Sequence, residues 1–562
     1  HQCVVCGKVY ESDVLDGTWL TCYRNRAVIL TLVSAVIFKA TGERKYLDYA
    51  VGVIDFYAKH YHEFTLHNKE NVICESYENM VWGCGKIMPQ ALNEGIVGIR
   101  FVQTIEILRR ELDPEWLDMV YQKLFREMFR LMKPQVVEIH NISCWDIAAI
   151  GVMGLSFHDQ EMIEFAFNSE YNIHEQLKKG VTEDSFWYEG SIHYNFFLLE
   201  GVSYLFLFSK LYGYDFGEES TRILEKMFIK AYEYAFDNQY LPDPNDGWPN
   251  LNLKTFSYIY HTVARAFGEY SIVGNITKLI ELAPGPRTTL PLSEPYYIGN
   301  VCLEKILFNT DFDYSRFVPV EQHSYNYEKS NFVMLRNQSW NVFMKYGLNG
   351  NSHAHPDLMT VEMMANNHRV TRDLSNAGYQ SRLCNEWHRK TISHNTVCAD
   401  GQDITSCKPG KCLSFSAHKV SAKAENVYEG IDYKRTIKVD DETVKDRFEV
   451  FGEQRTYDYF FHLEPNFHLE TDLKCEEADL GFNENGYQHI LNTKKVIHCP
   501  NIVELRATSA DLNLKLRVTL QEGQELYLLK TMDNPVSLTR NTLMLRSRSK
   551  DPCYYMEIKN EK

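Results

Sequence analysis

Pro284-Gly-Pro286, followed by Pro291, divides this 562-residue sequence into two parts with different hydrophobic periodicities. Proline and glycine in close succession interrupt regular secondary structure. From about residue 17 to residue 285, apolar residues recur at spacings of three and four, as between Leu108 and Leu131, which predicts successive amphipathic helices. The pattern alone is compatible with a toroid of helical hairpins, a solenoid or a bundle.

After this break, apolar and polar residues alternate with a period of two, which is the pattern of a half-buried strand. The clearest examples are Asn331–Arg336, Trp340–Lys345, Lys434–Val439 and Leu514–Thr519. Many short strands separated by turn residues predict an antiparallel β-sandwich. We therefore expect an α+β multidomain chain, with a short N-terminal C-x-x-C segment (1–16), a helical domain (17–285) and a β-sandwich domain (286–562).

The second part contains Asn351-Ser-His-Ala-His-Pro-Asp357, and Asp373 and His394 follow it. Histidine and aspartate are preferred ligands of zinc and similar divalent ions. Strands between these motifs can bring them to one face, so His355, Asp373 and His394 are predicted metal ligands, and His353 remains available for chemistry. Because an H-x-H pair also arises by chance in a chain with 20 histidines, the pattern alone leaves both interpretations open.

Three more motifs accompany the H-A-H-P-D block: an H-N-x-x-x-W motif in Glu138–Trp145, an E-G-S-x-x-Y motif in Glu183–Tyr194, and the segment Trp387–Val397. In this order they resemble the heparinase II/III-type polysaccharide lyases, and most resemble the branch of exo-acting alginate and heparin lyases. The resemblance covers most of the chain, and Trp387–Val397 is its most specific part. The chain departs from the family at Ala354, where glycine is frequent, and at Gln380, a position that is often glycine-like.

The resemblance implies an incomplete α/α toroid for the helical domain and a site at the junction of the two domains. It also implies cleavage of a uronic-acid polysaccharide by β-elimination. In that reaction a base removes the proton α to the C6 carboxylate, the C4–O4 bond breaks and a C4=C5 double bond remains. Because this proton is only weakly acidic, catalysis needs a neutralised carboxylate, a placed base and an acid for the leaving oxygen.

These requirements suggest roles for four residues. His140 and Asn141 are expected to bind the carboxylate, and His140 also competes for the role of base. Tyr194 is the expected acid, and also a base if nearby cations depress its pKa. His353 is expected to take the α-proton in substrates whose geometry places that proton on the face opposite Tyr194. On the residues alone, the interpretation of Tyr194 as a core tyrosine is the favoured one, and Asn141 is also interpretable as the cap of the helix that follows.

The net charge of −16 argues against a general nucleic-acid or membrane-surface binder. The apolar stretch Ala27–Phe38 is too short to span a membrane and is expected to form a buried helix. The expected partner is an anionic uronate polysaccharide or oligosaccharide, which a local basic cleft within an acidic shell can still attract. The predicted substrate-binding residues are Arg382, Arg389, Trp187 and Glu189.

Zinc is the expected cofactor, in a structural role, with Ca²⁺ or another divalent ion as the alternative. Asp357 is expected in a turn or orienting a ligand histidine. The pair Cys3 and Cys6 resembles half of a second zinc site. The 14 cysteines show no disulfide framework, which favours a reducing compartment such as the bacterial cytoplasm. The substrate class is also consistent with a periplasmic or secreted protein.

The leading hypothesis is a lyase acting on heparin or heparan sulfate, from a chain end. An exo-acting oligoalginate lyase is the alternative within the same reaction class. A toroidal glycoside hydrolase would instead use two carboxylates, for which Asp184, Glu189 and Asp246 are available. A non-catalytic carbohydrate-binding protein is the third hypothesis, and it predicts sugar affinity without turnover.

Overall fold

The computed structural model describes residues 1–288, 297–298, 301–308, 312–347 and 353–561. Pro291, Asn351 and Ser352, which the sequence analysis uses, lie outside these ranges. In the described residues, most helices precede the large sheets. The α-helices are α1 (Asp13–Thr41), α2 (Arg44–His60), α3 (Ala91–Leu108), α4 (Pro114–Val120), α5 (Arg126–Met132), α6 (Asn141–Phe157), α7 (Gln160–Asn168), α8 (Ile173–Gly180), α9 (Ile192–Leu211), α10 (Glu218–Tyr234), α11 (Ser257–Phe267), α12 (Ile272–Leu282) and α13 (Leu303–Phe308).

Helices α6 and α9 form the centre of the helical domain, and most residues of both are buried. A helix that is apolar on all sides is typical of such a core position. The two helices approach closely because glycines lie at the contact. A Cβ at Gly151 would lie 2.5 Å from a methyl carbon of Leu205, and a Cβ at Gly201 would lie 3.0 Å from the Trp145 ring. This packing fixes the N-terminal ends of α6 and α9, which carry two of the predicted site motifs.

Helix α1 is 29 residues long and, by length and composition, apolar enough to cross a membrane. Only 28% of the most apolar 18-residue part of this helix is buried. Val28 and Leu32 are among the buried residues of the helix, which packs against α2 and α3. Trp19 and Tyr23 in its N-terminal half are exposed. Ala27–Phe38 is helical, as predicted, and each of its residues is buried or partly buried, although the helix extends beyond this apolar run at both ends.

The N-terminal segment forms a tight turn around Cys3 and Cys6. The Gly7 N–H donates to Cys3 O at 2.8 Å, and the Cys3 N–H donates to Lys8 O at 2.9 Å. Both thiols are free, and hydrogen bonds from the backbone of Cys6 and Val5 lower the pKa of Cys3. Zinc binding here stays a prediction, because the closely spaced set of metal-binding side chains among the described residues lies elsewhere.

Within the described ranges, every strand pair is antiparallel. The strands are β1 (Leu66–His67), β2 (Ile73–Cys74), β3 (Tyr297–Ile298), β4 (Val301–Cys302), β5 (Tyr325–Tyr327), β6 (Phe332–Arg336), β7 (Trp340–Lys345), β8 (Val361–Ala365), β9 (His368–Thr371), β10 (Val397–Ala399), β11 (Lys411–Ser416), β12 (Lys419–Tyr428), β13 (Ile431–Val439), β14 (Thr443–Phe451), β15 (Tyr457–His462), β16 (His468–Glu470), β17 (Cys475–Glu477), β18 (Ile490–Val496), β19 (Ile502–Thr508), β20 (Asn513–Thr519), β21 (Glu525–Met532), β22 (Thr539–Ser547) and β23 (Cys553–Asn560).

The strands from β5 onward make three sheets. Strands β5 to β9 follow one another in a five-stranded sheet. The second sheet has eight strands in the order β11-β12-β13-β14-β23-β20-β19-β16, and the third has six in the order β10-β15-β22-β21-β18-β17. The eight- and six-stranded sheets share one apolar core, to which Phe448 and Val518 contribute from one sheet and Phe461 and Leu545 from the other. Two antiparallel sheets around a shared core form a β-sandwich.

The five-stranded sheet joins the two domains because both of its faces are buried. Met334 and Phe343 belong to the apolar cluster of the helical domain, whereas their neighbours Val333 and Val342 belong to the cluster of the sandwich. Side chains alternate across a strand, so each strand supplies both cores. Full burial of such a side chain contributes about 1.5–3 kcal/mol, which holds the domains in a fixed relation.

Candidate active site

The candidate active site lies where a loop after α10 meets the β domain. The Asp246 N–H donates to His353 O at 2.9 Å, so this loop is bonded directly to the H-A-H-P-D block. Gly247 permits the close approach, since a Cβ there would lie 3.0 Å from His193 Cβ and 3.1 Å from Ser375 Oγ. The site is therefore built by both domains.

His140 and Asn141 lie at the N-terminal end of α6, beside the buried carboxylate of Glu189. Asn141 Nδ2 donates to both Glu189 oxygens, at 3.0 and 2.8 Å, and His140 Nε2 lies 3.4 Å from Oε1. His140 Nδ1 accepts from the Ile142 N–H at 3.2 Å and thereby caps the helix. The interpretation of Asn141 as the cap is wrong, because Asn141 is the first helical residue and its side chain binds Glu189 instead.

Tyr194, in the first turn of α9, stacks on His353 with ring centroids 3.6 Å apart and an interplanar angle of 12°. Its hydroxyl lies 2.7 Å from the Tyr379 hydroxyl, which lies 3.0 Å from His353 Nδ1. Burial raises the pKa of Tyr194 to about 12, and the nearby charge of Asp246 acts in the same direction. The alternative that cations depress this pKa is therefore wrong, since Arg389 lowers it by less than burial raises it.

The buried carboxylate of Asp246 lies between these residues and the predicted metal ligands. Oδ2 lies 3.1 Å from His353 Nδ1 and accepts from the Tyr379 hydroxyl at 3.1 Å. Oδ1 lies 2.9 Å from His355 Nε2 and accepts from Asn376 Nδ2 at 3.0 Å. Burial alone would raise the pKa of Asp246, but hydrogen bonds from His353 and His355 hold it well below the ordinary value. Asp246 is thus an ionised carboxylate between two histidines.

The structure brings the three predicted metal ligands together. Donor atoms of His355, Asp373 and His394 lie within 4.8 Å of one another, and all three residues are buried. His355 precedes β8, Asp373 follows β9 and His394 precedes β10, so the set connects three chain segments. Burial alone would raise the pKa of Asp373, but the charge of His394 and their 2.7 Å hydrogen bond lower it to about 2.

The donor set fits zinc better than it fits calcium. Two imidazoles and a carboxylate are typical zinc ligands, whereas calcium prefers six to eight oxygens. His394 Nε2 and both ring nitrogens of the buried His388 have no hydrogen-bond partner among the described residues. Buried polar atoms of this kind call for an ion or water. Burial, with the charge of His355 acting in the same direction, lowers the pKa of His388 to about 4, so the ring is neutral.

Asp357 begins a turn, which is one of its two predicted roles, because its carbonyl oxygen accepts from the Thr360 N–H at 2.8 Å. Asp357 pairs with the buried Lys345, whose Nζ lies 2.5 Å from Oδ1. The carboxylate that contacts a predicted metal ligand is Asp246, whose position in the sequence suggested only a role in hydrolysis. Its position in the Asp243–Gly247 turn gave no sign that the turn enters the other domain.

The two predicted substrate-binding arginines have different environments. Arg389 lies in the site, with Nε 3.8 Å from Asp246 Oδ1 and one guanidinium nitrogen donating to Ala354 O at 3.3 Å. The Arg382 side chain is 82% exposed and pairs with Glu386. Substrate binding by both arginines stays a prediction, and only Arg389 is in contact with the central carboxylate.

The other two predicted substrate-binding residues are buried. Trp187 is 1% exposed, and its ring fills the space beside Gly180, where a Cβ would lie 2.1 Å from it. Its face cannot stack on a sugar, so that prediction is wrong. Glu189 is also 1% exposed, but it lies in the site and holds Asn141. It therefore contacts a predicted catalytic residue rather than open solvent.

Sequence reasoning missed Tyr379. It lies in the irregular segment between Asp373 and His394, outside every quoted motif, and its side chain is nonetheless central to the hydrogen bonds around Tyr194 and His353. An isolated tyrosine in a loop carries no spacing signal, so only the fold could identify it.

Residues 320–548 match the family model described as heparinase II/III-like, C-terminal. The chain is 23% identical over 514 residues to an exo-oligoalginate lyase of Saccharophagus degradans, covering 81% of this chain and 65% of the relative. It is 22% identical over 510 residues to an alginate lyase of Stenotrophomonas maltophilia, covering 82% and 65%. The chain thus spans slightly less than two thirds of the length of these curated relatives.

Solved structures share the fold over almost the whole chain. A heparinase III structure has a TM-score of 0.65 at 14% identity, covering 95% of this chain and 77% of its own. A heparan sulfate lyase from Pedobacter heparinus has a TM-score of 0.62 at 15% identity, covering 94% and 75%. The predicted fold, an incomplete α/α toroid followed by an antiparallel β-sandwich, is confirmed by this likeness. Residues 320–548 thus carry a heparinase II/III-like C-terminal domain, and the chain shares the fold of the heparinase III structure over 95% of its length.

Proposed function

We propose that this protein is a polysaccharide lyase that cleaves a uronic-acid polymer by β-elimination at the junction of its two domains. The observation that carries the proposal is the cluster in which the Tyr194 hydroxyl bonds to Tyr379 while the Tyr194 ring stacks on His353. Two curated relatives are named as lyases of a uronate polymer, which supports the same reaction class.

Tyr194 is proposed as the acid that protonates the leaving O4. Burial raises its pKa to about 12, so the phenol keeps its proton at neutral pH and can donate it. His353 is proposed as the base. Its Nδ1 faces Asp246 and Tyr379, whereas Nε2 lies 3.8 Å from Glu189 Oε2 and is the nitrogen left to accept the α-proton.

Acid and base act from the same side in this proposal. The Tyr194 and His353 rings are in contact at 3.6 Å, so no sugar ring can lie between them. The prediction that His353 works from the face opposite Tyr194 does not fit this arrangement. A same-side pair suits uronates whose C5 proton and O4 lie on one face of the ring, namely glucuronate and mannuronate. It does not suit their C5 epimers, iduronate and guluronate.

The substrate carboxylate is proposed to bind at the N-terminal end of α6, beside His140. A helix N-terminus favours an anion because its free N–H groups and dipole are positive. Glu189 is a competing negative charge there, but its oxygens are engaged by Asn141 and lie near His140. In this arrangement Glu189 orients the two residues, and the amide of Asn141 and Nε2–H of His140 are the donors proposed to stabilise the developing enolate.

Oligoalginate is the polymer we would test first, and heparan sulfate the second. Both contain a uronate of the required configuration. The alginate preference rests on the named relatives and on the position of Arg382, which faces solvent rather than the site. The sequence-based preference for heparin or heparan sulfate, and the exo mode of attack, stay predictions.

We further propose that zinc binds His355, Asp373 and His394 in a structural role. The ion would supply a cross-link between the segments before β8, after β9 and before β10, close to His353. The elimination itself needs no group from the ion, because His353, Tyr194 and His140 fill the three required roles.

The test is to incubate the protein with oligomannuronate, oligoguluronate, heparan sulfate, heparin, chondroitin sulfate and hyaluronan, and to follow the ultraviolet absorbance of the unsaturated uronate. We expect absorbance to rise with a mannuronate or glucuronate polymer, and the Tyr194→Phe variant to abolish the rise. Equal rates on guluronate would contradict the same-side geometry. New reducing ends without absorbance would instead indicate hydrolysis.

A hydrolase is less consistent with the carboxylates. Asp246 is buried beneath His353 and His355, and Asp184 accepts hydrogen bonds from the backbone N–H groups of Lys329 and Ser330 at 2.7 and 2.9 Å. These carboxylates therefore do not form a pair across an open cleft, which hydrolysis of a glycosidic bond requires.

A further inference from the structure

We propose that Asp246 is a positioning residue that fixes both His353 and His355 with its two carboxylate oxygens, so that the candidate base and the metal-binding set are held by one group. The inference rests on the proposed function for the role of His353. The statement about His355 depends only on the close positions of His355, Asp373 and His394, which we call the metal-binding set.

The geometry assigns one oxygen to each histidine. Oδ1 lies 2.9 Å from His355 Nε2 and Oδ2 lies 3.1 Å from His353 Nδ1. Asn376 and Tyr379 donate to the same two oxygens, at 3.0 and 3.1 Å. An ionised carboxylate has about four acceptor positions, so these four contacts use its whole capacity.

An ionised carboxylate only accepts hydrogen bonds, so each ring nitrogen that faces Asp246 carries a proton. In neutral His355 the proton is then on Nε2, which leaves Nδ1 as the nitrogen that can bind a metal. In neutral His353 the proton is on Nδ1, which leaves Nε2 as the basic nitrogen. The same carboxylate therefore selects opposite tautomers in two histidines that are separated by one residue.

The backbone around Asp246 holds the carboxylate in place. Its N–H donates to His353 O at 2.9 Å, and the neighbouring Asn245 Oδ1 accepts from the His355 N–H at 3.2 Å. Gly247 packs against His193 on the other side. The loop thus contacts both domains, and Asp246 cannot shift without moving one of the two histidines.

The main test is Asp246→Asn in the full chain. An amide has the same shape but one acceptor oxygen, so it can hold only one of the two histidines in its present tautomer. We expect zinc affinity, measured by competition with a chelating dye, to fall about 10–100-fold. We also expect kcat to fall about 10²–10⁴-fold with a smaller change in KM.

Asp243→Asn is the matched control. Asp243 lies in the same loop and is also buried, but it accepts from the Asn250 N–H at 2.9 Å and pairs with Arg369. A general effect of losing a buried carboxylate from this loop would lower thermal stability in both variants. Only Asp246→Asn should also change zinc affinity.

A second measurement needs no variant. The ¹⁵N chemical shifts of the imidazoles in the wild-type, metal-free protein report the tautomers directly, and we expect Nε2–H in His355 and Nδ1–H in His353. The opposite tautomer in either ring, or wild-type zinc affinity in a folded Asp246→Asn variant, would overturn the proposal. If no polymer is cleaved but both binding and tautomer results hold, the proposed reaction fails while the positioning of His355 stands.

Discussion

The rings of Tyr194 and His353 lie parallel and in contact, although one belongs to a helix of the first domain and the other to a loop of the second. The contact depends on the five-stranded sheet, whose two faces belong to the cores of the two domains. That sheet holds the domains in a fixed relation, and the contact between the two rings follows from this relation. Preorganised contacts of this kind reduce the cost of assembling a site during reaction.

Replacing Tyr194 by phenylalanine should abolish the acid without disturbing the stack. We expect kcat to fall about 10²–10⁴-fold, because the leaving oxygen loses its proton donor. Thermal stability should change little, since the ring and its contact with His353 remain. Rates and melting curves of the variant provide the measurement.

Tyr188→Phe is the matched control for that variant. Tyr188 is 38% exposed, and its hydroxyl donates to Ile139 O at 2.9 Å, outside the Tyr194 cluster. This variant should keep wild-type kcat. An equal loss in both variants would mean that Tyr194 acts through general packing rather than as the acid.

The sequence predicted the fold well because each domain has its own periodicity. The strand Trp340–Lys345 occurs as predicted, and β6, β13 and β20 overlap the other three predicted strands. The close grouping of His355, Asp373 and His394 was also predicted from motifs. The prediction for Trp187 failed because its motif gives no information about which side of the chain faces the core. Tyr379 was missed because its partners come from three distant segments.

Replacing His355 by alanine should lower zinc content and melting temperature together, because the proposed ion connects three chain segments. A ligand at about 1,000 times its dissociation constant stabilises the folded state by about 4 kcal/mol. The chelator EDTA should therefore lower the melting temperature of the wild type and leave that of His355→Ala unchanged. Full zinc content in the variant, with an unchanged melting curve, would remove His355 from the site.

Trp82 should contribute to substrate binding more than to catalysis. Its side chain is 48% exposed and meets His140 edge-on, with ring centroids 6.2 Å apart. An exposed aromatic face beside the proposed carboxylate site can pack on a sugar ring, at about 0.5–1.5 kcal/mol per contact. We expect Trp82→Ala to raise KM about threefold to tenfold with a smaller effect on kcat. Trp19→Ala, which removes an exposed tryptophan from α1, should leave both constants unchanged.

Glu304 should make the folded protein less stable as the pH rises. Burial raises its pKa from 4.5 to about 7, although Arg100 and a 3.0 Å hydrogen bond from Tyr204 act in the opposite direction. A carboxyl group with a raised folded pKa contributes its full stability below the unfolded pKa and loses it as the pH rises through the folded pKa. The loss should therefore occur between about pH 4.5 and 7, with an upper size of about 3 kcal/mol.

Glu304→Gln removes the titration and should be more stable than the wild type at pH 8 but not at pH 4.5.

Glu281→Gln is the control of opposite sign. Burial alone would raise the pKa of Glu281, but hydrogen bonds from His261, Lys305 and Lys278, together with the charge of His261, lower it to about 2. Its contribution is present above the unfolded pKa and is lost as the pH falls through about 2, so Glu281→Gln should destabilise the protein at pH 8. Denaturant unfolding of both variants at pH 4.5 and pH 8 measures how each substitution changes the free energy of unfolding. A change of the same sign in both variants at pH 8 would show that neither carboxyl titrates as its surroundings imply.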